Sequence, residues 1–170
     1  MKKKEMLLQT LGRELKGVLE HLENDFFDTI EEIRIRAEKP LLLWACQKEY
    51  FIKSDGSTAN KIEQAYIVKK QDIQQTLERL SKYSLYAFSE ELRNGFFTIE
   101  GGHRIGIVGK TVVQNHTIQT IRDISALNIR ISHEIKGCAD TVLQYAIEKG
   151  KFYHTLIISP PGCGKTTLLR

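Results

Sequence analysis

One short stretch near the end of the sequence restricts the possible folds more than any other. Residues 159–167, Ser-Pro-Pro-Gly-Cys-Gly-Lys-Thr-Thr, have the pattern of a phosphate-binding loop, and the apolar run 154–158 comes directly before them. A strand enters such a loop and a helix leaves it, so we predict a strand over 154–158 and a helix that begins near Lys165. A chance Gly-Lys-Thr in an ordinary turn is the less favoured alternative, because the flanking pattern also fits.

The residue types in this loop suit the binding of a nucleoside triphosphate. Glycines allow the backbone to turn its N–H groups inward as an anion-binding nest. The Lys165 ammonium can reach the β- and γ-phosphates of ATP, and the Thr166 hydroxyl can ligate Mg²⁺. The predicted cofactor-binding residues are Ser159, Pro160, Pro161, Gly162, Cys163, Gly164, Lys165, Thr166 and Thr167, and Lys165 is also predicted to be catalytic.

One residue of the loop departs from the usual pattern. Ser159 stands where the usual pattern has glycine, and because serine is small we expect the loop still to close. Cys163 is interpreted as a tolerated variable residue and not as a nucleophile. The other cysteines, Cys46 and Cys138, have neither CxxC nor Cys/His spacing, which favours reduced thiols over a metal site.

Upstream of the loop, helical and strand-like patterns alternate. Residues 3–23 carry apolar side chains at helical spacing, which predicts an amphipathic helix that packs on its own domain or, alternatively, binds a partner or a membrane surface. Helices are also predicted over 70–93, with a break near 81–84, and over 139–149. Strands joined by short polar or glycine links are predicted over 30–36, 41–46, 49–53, 96–99, 103–108, 110–113, 117–121 and 126–131.

The predicted fold class is α/β. An α+β N-terminal domain with a mixed or antiparallel sheet is expected over 1–135, followed by the beginning of a P-loop domain over 136–170. The sequence is 41% hydrophobic and 27% charged, as in an ordinary globular protein. Its net charge is +4, and so small an excess of positive charge does not by itself indicate a nucleic-acid-binding surface. No apolar run approaches the roughly 20 residues of a membrane span, so a cytoplasmic protein is predicted.

Three blocks of sequence resemble the stage III sporulation protein AA family. They are 95–109, which contains Gly-Gly-His-Arg, 122–131, which contains Asn-Ile-Arg-Ile, and 159–170, which contains the loop. The resemblance extends from about Ile30 onward. It implies an ATPase of endospore-forming bacteria in the mother-cell cytoplasm, peripheral to the membrane through partner proteins that are thought to form a channel to the forespore.

The family is similar to the ATPases of type II and type IV secretion. That similarity implies a RecA-like motor after the N-terminal domain and a ring homo-oligomer, a hexamer, in the full-length protein. It also implies that arginines of the N-terminal domain reach the nucleotide of an adjacent subunit. A guanidinium can neutralise charge that spreads over the transferring phosphoryl oxygens.

Arg104 and Arg130 are the candidates for this second catalytic role, and Arg122 is a third. An equally favoured alternative is that these arginines pair with carboxylates of their own fold. The carboxylates considered are those of Glu100, Asp123 and Glu134. His103, beside Arg104, could contact phosphate, although a lone histidine is more often structural.

An active ATPase also needs a Walker B carboxylate for Mg²⁺ and a residue that orients water. Both are expected downstream of Arg170, where the sequence stops. We therefore predict that this chain alone does not hydrolyse ATP, that strand 155–158 lacks neighbours from its own domain, and that the tail is disordered or packs abnormally.

Two other classes of function stay open. The first is a nucleic-acid-binding module in which aromatic residues stack bases beside arginines. The residues considered are Tyr83, Tyr86, Phe96, Phe97, Arg93 and Arg104. Nucleic acid is the less favoured partner, because these aromatics lie at positions typical of a core. The second is a protein-interaction domain that docks a membrane partner or another subunit through the N-terminal helix and the sheet.

Overall fold

A computed structural model of the chain describes residues 2–81, 85–133, 137–160 and 163–169. The chain divides into two compact units, Met1–Ser132 and His133–Arg170. Within the described residues, no helix is long and apolar enough to cross a membrane. The domain boundary expected between residues 135 and 136 stays a prediction.

In its described residues, the first unit contains five α-helices, a 3₁₀ turn and seven strands. The helices are α1 Lys2–Thr10, α2 Arg13–Glu20, α3 Asn24–Phe27, α4 Lys70–Ser81 and α5 Leu85–Asn94, and the 3₁₀ turn is Ile62–Gln64. The strands are β1 Ile30–Arg36, β2 Leu42–Ala45, β3 Lys48–Ile52, β4 Thr58–Ala59, β5 Phe96–Ile99, β6 His103–Gln114 and β7 Thr117–Arg130. This mixture confirms the predicted α/β class.

The seven strands form one sheet in the order β4-β3-β2-β1-β7-β6-β5. Every neighbouring pair is antiparallel. Consecutive strands are joined by hairpins at both ends of the sheet, as the short links predicted. The centre is different, because β1 pairs with β7 across all the intervening chain, with Ile33 opposite Ile129.

The two faces of the sheet have different environments. Alternate side chains on β1, β6 and β7 are buried and share one core with the helices. They include Ile33, Ile35, Ile105, Ile107, Leu127 and Ile129. The residues between them, such as Arg36, Arg104 and Arg130, are exposed. We call the face that carries these residues the outer face of the sheet.

The N-terminal amphipathic segment is not the single helix predicted over 3–23. It forms α1 and α2, with a break at Leu11–Gly12. The Gly12 N–H donates to Thr76 Oγ1 at 2.9 Å. A Cβ on Gly12 would lie 2.9 Å from the Asp72 carbonyl oxygen, so contact with α4 explains the break. The leucine stripe is used inside this unit, since Leu11 and Leu15 are fully buried.

One other prediction needs correction in this part of the fold. The four strand segments predicted over 103–131 merge into the two long strands β6 and β7. Their pairing accommodates irregular register between Val108 and Lys110 and between Val112 and Val113. The predicted break of the helix over 70–93 falls at residues 82–84, which lie outside the described residues.

The second unit begins with α6 Asp140–Ala146 and a small hairpin of β8 Ile147–Glu148 and β9 Lys151–Phe152. The helix predicted over 139–149 therefore ends early. Lys149 and Gly150 both have positive φ, 49° and 76°, which turns the chain back into β9.

The strand predicted over 154–158 is wrong for this structure. Residues 153–160 have no regular secondary structure, and Leu156 and Ile158 are 81% and 84% exposed. A strand needs a hydrogen-bonded neighbour, and the described residues of this unit place none beside the run. The predicted lack of neighbours within its own unit explains the missing strand.

Candidate phosphate-binding loop and arginine row

The loop predicted to bind phosphate lies in the second unit and is described in part. Ser159, Pro160 and residues 163–169 are placed, whereas Pro161 and Gly162 lie outside the described residues. Thr166 belongs to α7 Lys165–Leu168, but its side chain lies outside the description. Its predicted role as the Mg²⁺ ligand therefore stays a prediction.

Lys165 is the best-defined side chain of the loop. Its Nζ atom donates to the carbonyl oxygens of Ser159 and Pro160, both at 2.8 Å, and to Ser159 Oγ at 3.1 Å. The side chain is half-buried. The local fold thus brings the ammonium back onto the first two residues of the loop.

Gly164 sets the direction in which the chain leaves the loop. It has a left-handed conformation, φ 75° and ψ 12°, and forms the N-cap of α7. Glycine adopts this conformation without strain. The first helical bond runs from the Leu168 N–H to the Gly164 carbonyl oxygen at 2.9 Å. A helix does begin at Lys165, as the loop pattern predicted, and it is four residues long.

The described part of the loop suits an anion better than an isolated metal ion. An ammonium at the start of a turn that opens into a helix is the donor type that binds phosphate oxygens. Among the described residues there is no group of three or more His, Cys, Asp or Glu that could hold a metal ion.

The first unit brings Arg104 and Arg130 together. Arg104 on β6 is paired directly with Arg130 on β7, and Arg130 is paired in turn with Glu32 on β1. Arg104 is also paired with Thr98 on β5. We call this cross-strand set the arginine row; it consists of Glu32, Arg130, Arg104 and Thr98. Both arginines are exposed. Like charges directly opposite in a sheet destabilise it, and the carboxylate of the row, Glu32, forms its ion pair with Arg34.

The alternative, in which these arginines pair with carboxylates of their own fold, can be followed only for the described carboxylates. Asp123 pairs with Lys110, at 3.0 Å, and not with Arg122. Among the described residues, no ion pair joins Arg104, Arg122 or Arg130 to a carboxylate. Glu134, the third carboxylate considered, lies outside the described residues.

Sequence reasoning missed two arginines on the same outer face. Arg34 and Arg36 lie on β1, beside the arginine row. The alternation Ile-Arg-Ile-Arg was the available signal, because it puts both arginines on one face of a strand. Arg34 is already neutralised: it bonds Glu32 through Nε and Glu49 through Nη1 at 2.9 Å. The hydrogen bond to Glu32, followed by the charges of both carboxylates, raises the pKa of Arg34.

His103 has a structural role in this fold. Its ring is fully buried, and its Nδ1 accepts a hydrogen bond from the Ser132 N–H at 2.9 Å. A ring nitrogen that accepts cannot carry a proton, so the described bond requires the proton to be on Nε2 if the ring is neutral. The interaction ties the start of β6 to the residue that ends the first unit.

The described aromatic residues considered for base stacking, Phe96 and Phe97, differ in exposure. Phe97 is 2% exposed and belongs to the core, as its core-like position in the sequence indicated. Phe96 is 40% exposed, and the Arg104 guanidinium lies 5.7 Å from its ring centroid. Tyr83 and the side chain of Tyr86 lie outside the described residues.

The fold and these residues define an α/β protein in which an arginine-bearing antiparallel sheet precedes a unit with a phosphate-loop sequence. Sequence comparison gives the particular family. The chain belongs to the family Sporulation stage III, protein AA, which it matches over residues 1–170. This confirms the resemblance drawn from the three sequence blocks.

One curated relative is the Stage III sporulation protein AA of Bacillus subtilis (strain 168), which is 36% identical over 164 residues. The alignment covers 96% of this chain and 49% of the relative, so the chain spans about half the length of the curated relative it matches.

Among solved structures, the VirB11 ATPase from the Brucella suis type IV secretion system, in complex with sulphate, is similar with a TM-score of 0.43 and 10% identity. That match covers 84% of this chain and 37% of the other chain. A likeness of this size is too low to assign a function.

Proposed function

We propose that residues 159–167 bind ATP with Mg²⁺, and that a protein continued to the length of the curated relative hydrolyses it to drive or assemble a channel between mother cell and forespore. Membership of a sporulation stage III family supports the setting. The observation that carries the proposal is the half-buried Lys165 side chain, whose ammonium is held by the carbonyl oxygens of Ser159 and Pro160 at the start of the loop.

Each residue has a distinct task in this proposal. Lys165 exchanges its loop carbonyls for β- and γ-phosphate oxygens, and Gly164 lets the backbone turn toward the anion. Thr166 supplies a hydroxyl to Mg²⁺, which supplies charge neutralisation at the phosphates when bound. The carboxylate and the water-orienting residue of the reaction are assigned to the sequence beyond residue 170.

ATP binding by the present chain is the direct test of the loop. Lys165→Ala removes a charge-assisted contact, so we expect affinity for Mg²⁺-ATP to fall roughly 10- to 100-fold in calorimetric titration. Lys151→Ala, which removes an exposed lysine of the same unit, is the matched control. Equal affinities for wild-type and Lys165→Ala chains would contradict the assignment.

The arginine row is proposed to act on the nucleotide of an adjacent subunit. Arg104 and Arg130 are adjacent, exposed and free of ion pairs within the described residues, which leaves both guanidiniums available to a phosphate. This role requires self-assembly, and we propose a ring homo-oligomer, a hexamer, in the mother-cell cytoplasm. Its association with the membrane would be peripheral, through the partner proteins of the channel.

Mixing two inactive variants distinguishes action between subunits from action within one. In the longer protein, Lys165→Ala and Arg104→Gln should each reduce turnover, and Arg104→Gln should leave ATP affinity nearly unchanged. If the arginine acts across subunits, mixed rings contain some complete sites and regain part of the activity. Arg34→Gln is the control, because Glu32 and Glu49 already hold that guanidinium. No recovery on mixing would refute the shared site.

Nucleic acid is not among the proposed partners. Binding of single-stranded DNA that weakens with salt and disappears in Arg104→Gln would favour that competing function instead. The proposed interaction with membrane proteins does not use the N-terminal leucines as a free docking face, since Leu7 and Leu11 are fully buried.

A further inference from the structure

The three acceptors of the Lys165 ammonium all come from two residues, Ser159 and Pro160. Two of these acceptors are backbone carbonyls, which any residue at those positions would supply. The third is the Ser159 hydroxyl. The glycine that usually occupies this position in phosphate-binding loops has no side chain and could not make this bond.

The hydrogen-bonding capacity of the ammonium is fully used in this arrangement. A lysine ammonium has three donors and no acceptor, and it has three partners here. A phosphate that binds Lys165 must therefore displace existing bonds. All three bonds have a charged donor, which places them in the stronger class of hydrogen bonds, and the two to Ser159 are also half-buried.

The Ser159 hydroxyl is oriented to accept from the lysine. Its own hydrogen is directed to the Pro160 carbonyl oxygen, with Oγ at 3.3 Å from that atom. The lone pairs of Oγ are then left for Lys165 Nζ at 3.1 Å. Ser159, Pro160 and Lys165 thus form one closed set of hydrogen bonds within the loop.

We propose that Ser159 is a positioning residue whose hydroxyl holds Lys165 in a folded-back, phosphate-free position and so lowers the affinity of the loop for a polyphosphate. The inference rests on the proposed function of the loop as an ATP site. The serine sets how readily the ammonium is released, and the two carbonyls hold it in either case.

The position of the lysine can be tested without a nucleotide. Competitive acetylation of the whole chain, read by mass spectrometry, compares Lys165 with Lys70 and Lys110, which have side chains 80% and 81% exposed. Ser159→Ala should raise the relative reactivity of Lys165 roughly threefold to tenfold, since one of three bonds is lost. Ser159→Thr keeps the hydroxyl and should react like the wild type. Unchanged reactivity in Ser159→Ala would overturn the inference.

ATP binding to the same variants gives the second measurement. Ser159→Ala should bind Mg²⁺-ATP roughly five- to tenfold more tightly than the wild type, because the phosphate displaces one bond fewer. Weaker binding would make the hydroxyl a phosphate ligand and overturn the inference. If neither chain binds ATP while Lys165 reactivity still rises, the positioning role stands and the proposed ATP site fails.

Discussion

Asp72 lies in the first turn of α4 and is 1% exposed, and one oxygen of its carboxylate accepts two hydrogen bonds. Asp72 Oδ2 accepts from the Tyr66 hydroxyl and from the Lys69 N–H, both at 2.8 Å. The second bond satisfies a backbone donor at the start of the helix, as in one half of a capping box. Asp72→Ala removes both bonds and leaves the backbone donor without this partner.

The size of the loss can be estimated from these two contacts. The cap contributes about 1 kcal/mol, and a hydrogen bond to a charged acceptor about 1.5–3 kcal/mol. Tyr66 is half-buried and its hydroxyl can turn toward water, so we take the lower end for that bond. We therefore expect Asp72→Ala to reduce the free energy of unfolding by about 2.5 kcal/mol and Tm by about 10 °C. Asp72→Asn retains one acceptor and should cost about half as much.

Urea unfolding can measure this effect through the fluorescence of Trp44, the only tryptophan, which lies in β2 of the same unit. Tyr66→Phe and the double variant complete a thermodynamic cycle. A coupling free energy of about 1 kcal/mol or more is expected between the two side chains. A loss below about 1 kcal/mol for Asp72→Ala, or a coupling near zero, would refute the reasoning.

Three further predictions concern stability. Gly12→Ala places a Cβ 2.9 Å from the Asp72 carbonyl oxygen and should destabilise the first unit by about 1–3 kcal/mol. The control, Gly17→Ala, has open space around its Cβ and should stabilise α2 by about 0.5–1 kcal/mol. Equal urea midpoints for the two variants would contradict both expectations. Burial, and then Asp72, raises the pKa of Tyr66, so the stabilisation by its protonated hydroxyl is complete below about pH 10 and is lost above that pH. Between about pH 10 and 11.5 the free energy of unfolding should therefore fall more for the wild type than for Tyr66→Phe. Parallel plots of this free energy against pH would exclude the linkage. Burial and the charge of Glu90 raise the pKa of Glu91, so the charged carboxylate destabilises the fold at pH 7 and Glu91→Gln should raise Tm there. The gain in Tm should shrink as pH falls toward about 4.3, and Glu90→Gln should give a smaller gain. A difference in Tm that does not depend on pH would argue against this cause.

The first unit followed closely from its sequence because its strands have simple periods. Strands β1 and β5 have the predicted bounds, since alternation and glycine punctuation are local signals. The break between α1 and α2 was not visible, because it depends on Gly12 touching α4, more than fifty residues away in the chain. A helical period alone cannot report such a distant contact.

In the second unit, by contrast, a strong local pattern led to a wrong prediction of secondary structure. An apolar β-branched run, 154–158, has every local property of a strand and forms none here, because strand formation depends on a neighbour that local sequence does not contain. The start of the helix after the loop was easier to predict, since Gly164 and Lys165 are specified by residue type and spacing. Their use of Ser159 as a partner was not, because it depends on the position of a flexible side chain.

The adjacency of Arg104 and Arg130 is another result that spacing could not supply. Each was chosen singly from the resemblance, and the register of β6 against β7 makes them neighbours. Arg34 was overlooked because its strand lies far from both in sequence, and only the pairing of β1 with β7 brings it to the same face.

That pairing of β1 with β7 also governs how the chain can fold as it is synthesised. Strands β1 to β4 can form a meander as soon as they leave the ribosome, but the second edge of β1 stays open until residues 126–130 emerge. Ile33 and Ile35, fully buried at the end, have no cover on that side during this interval. An apolar strand with an open edge is a site for misassociation, so the nascent chain is open to wrong pairing until β7 arrives.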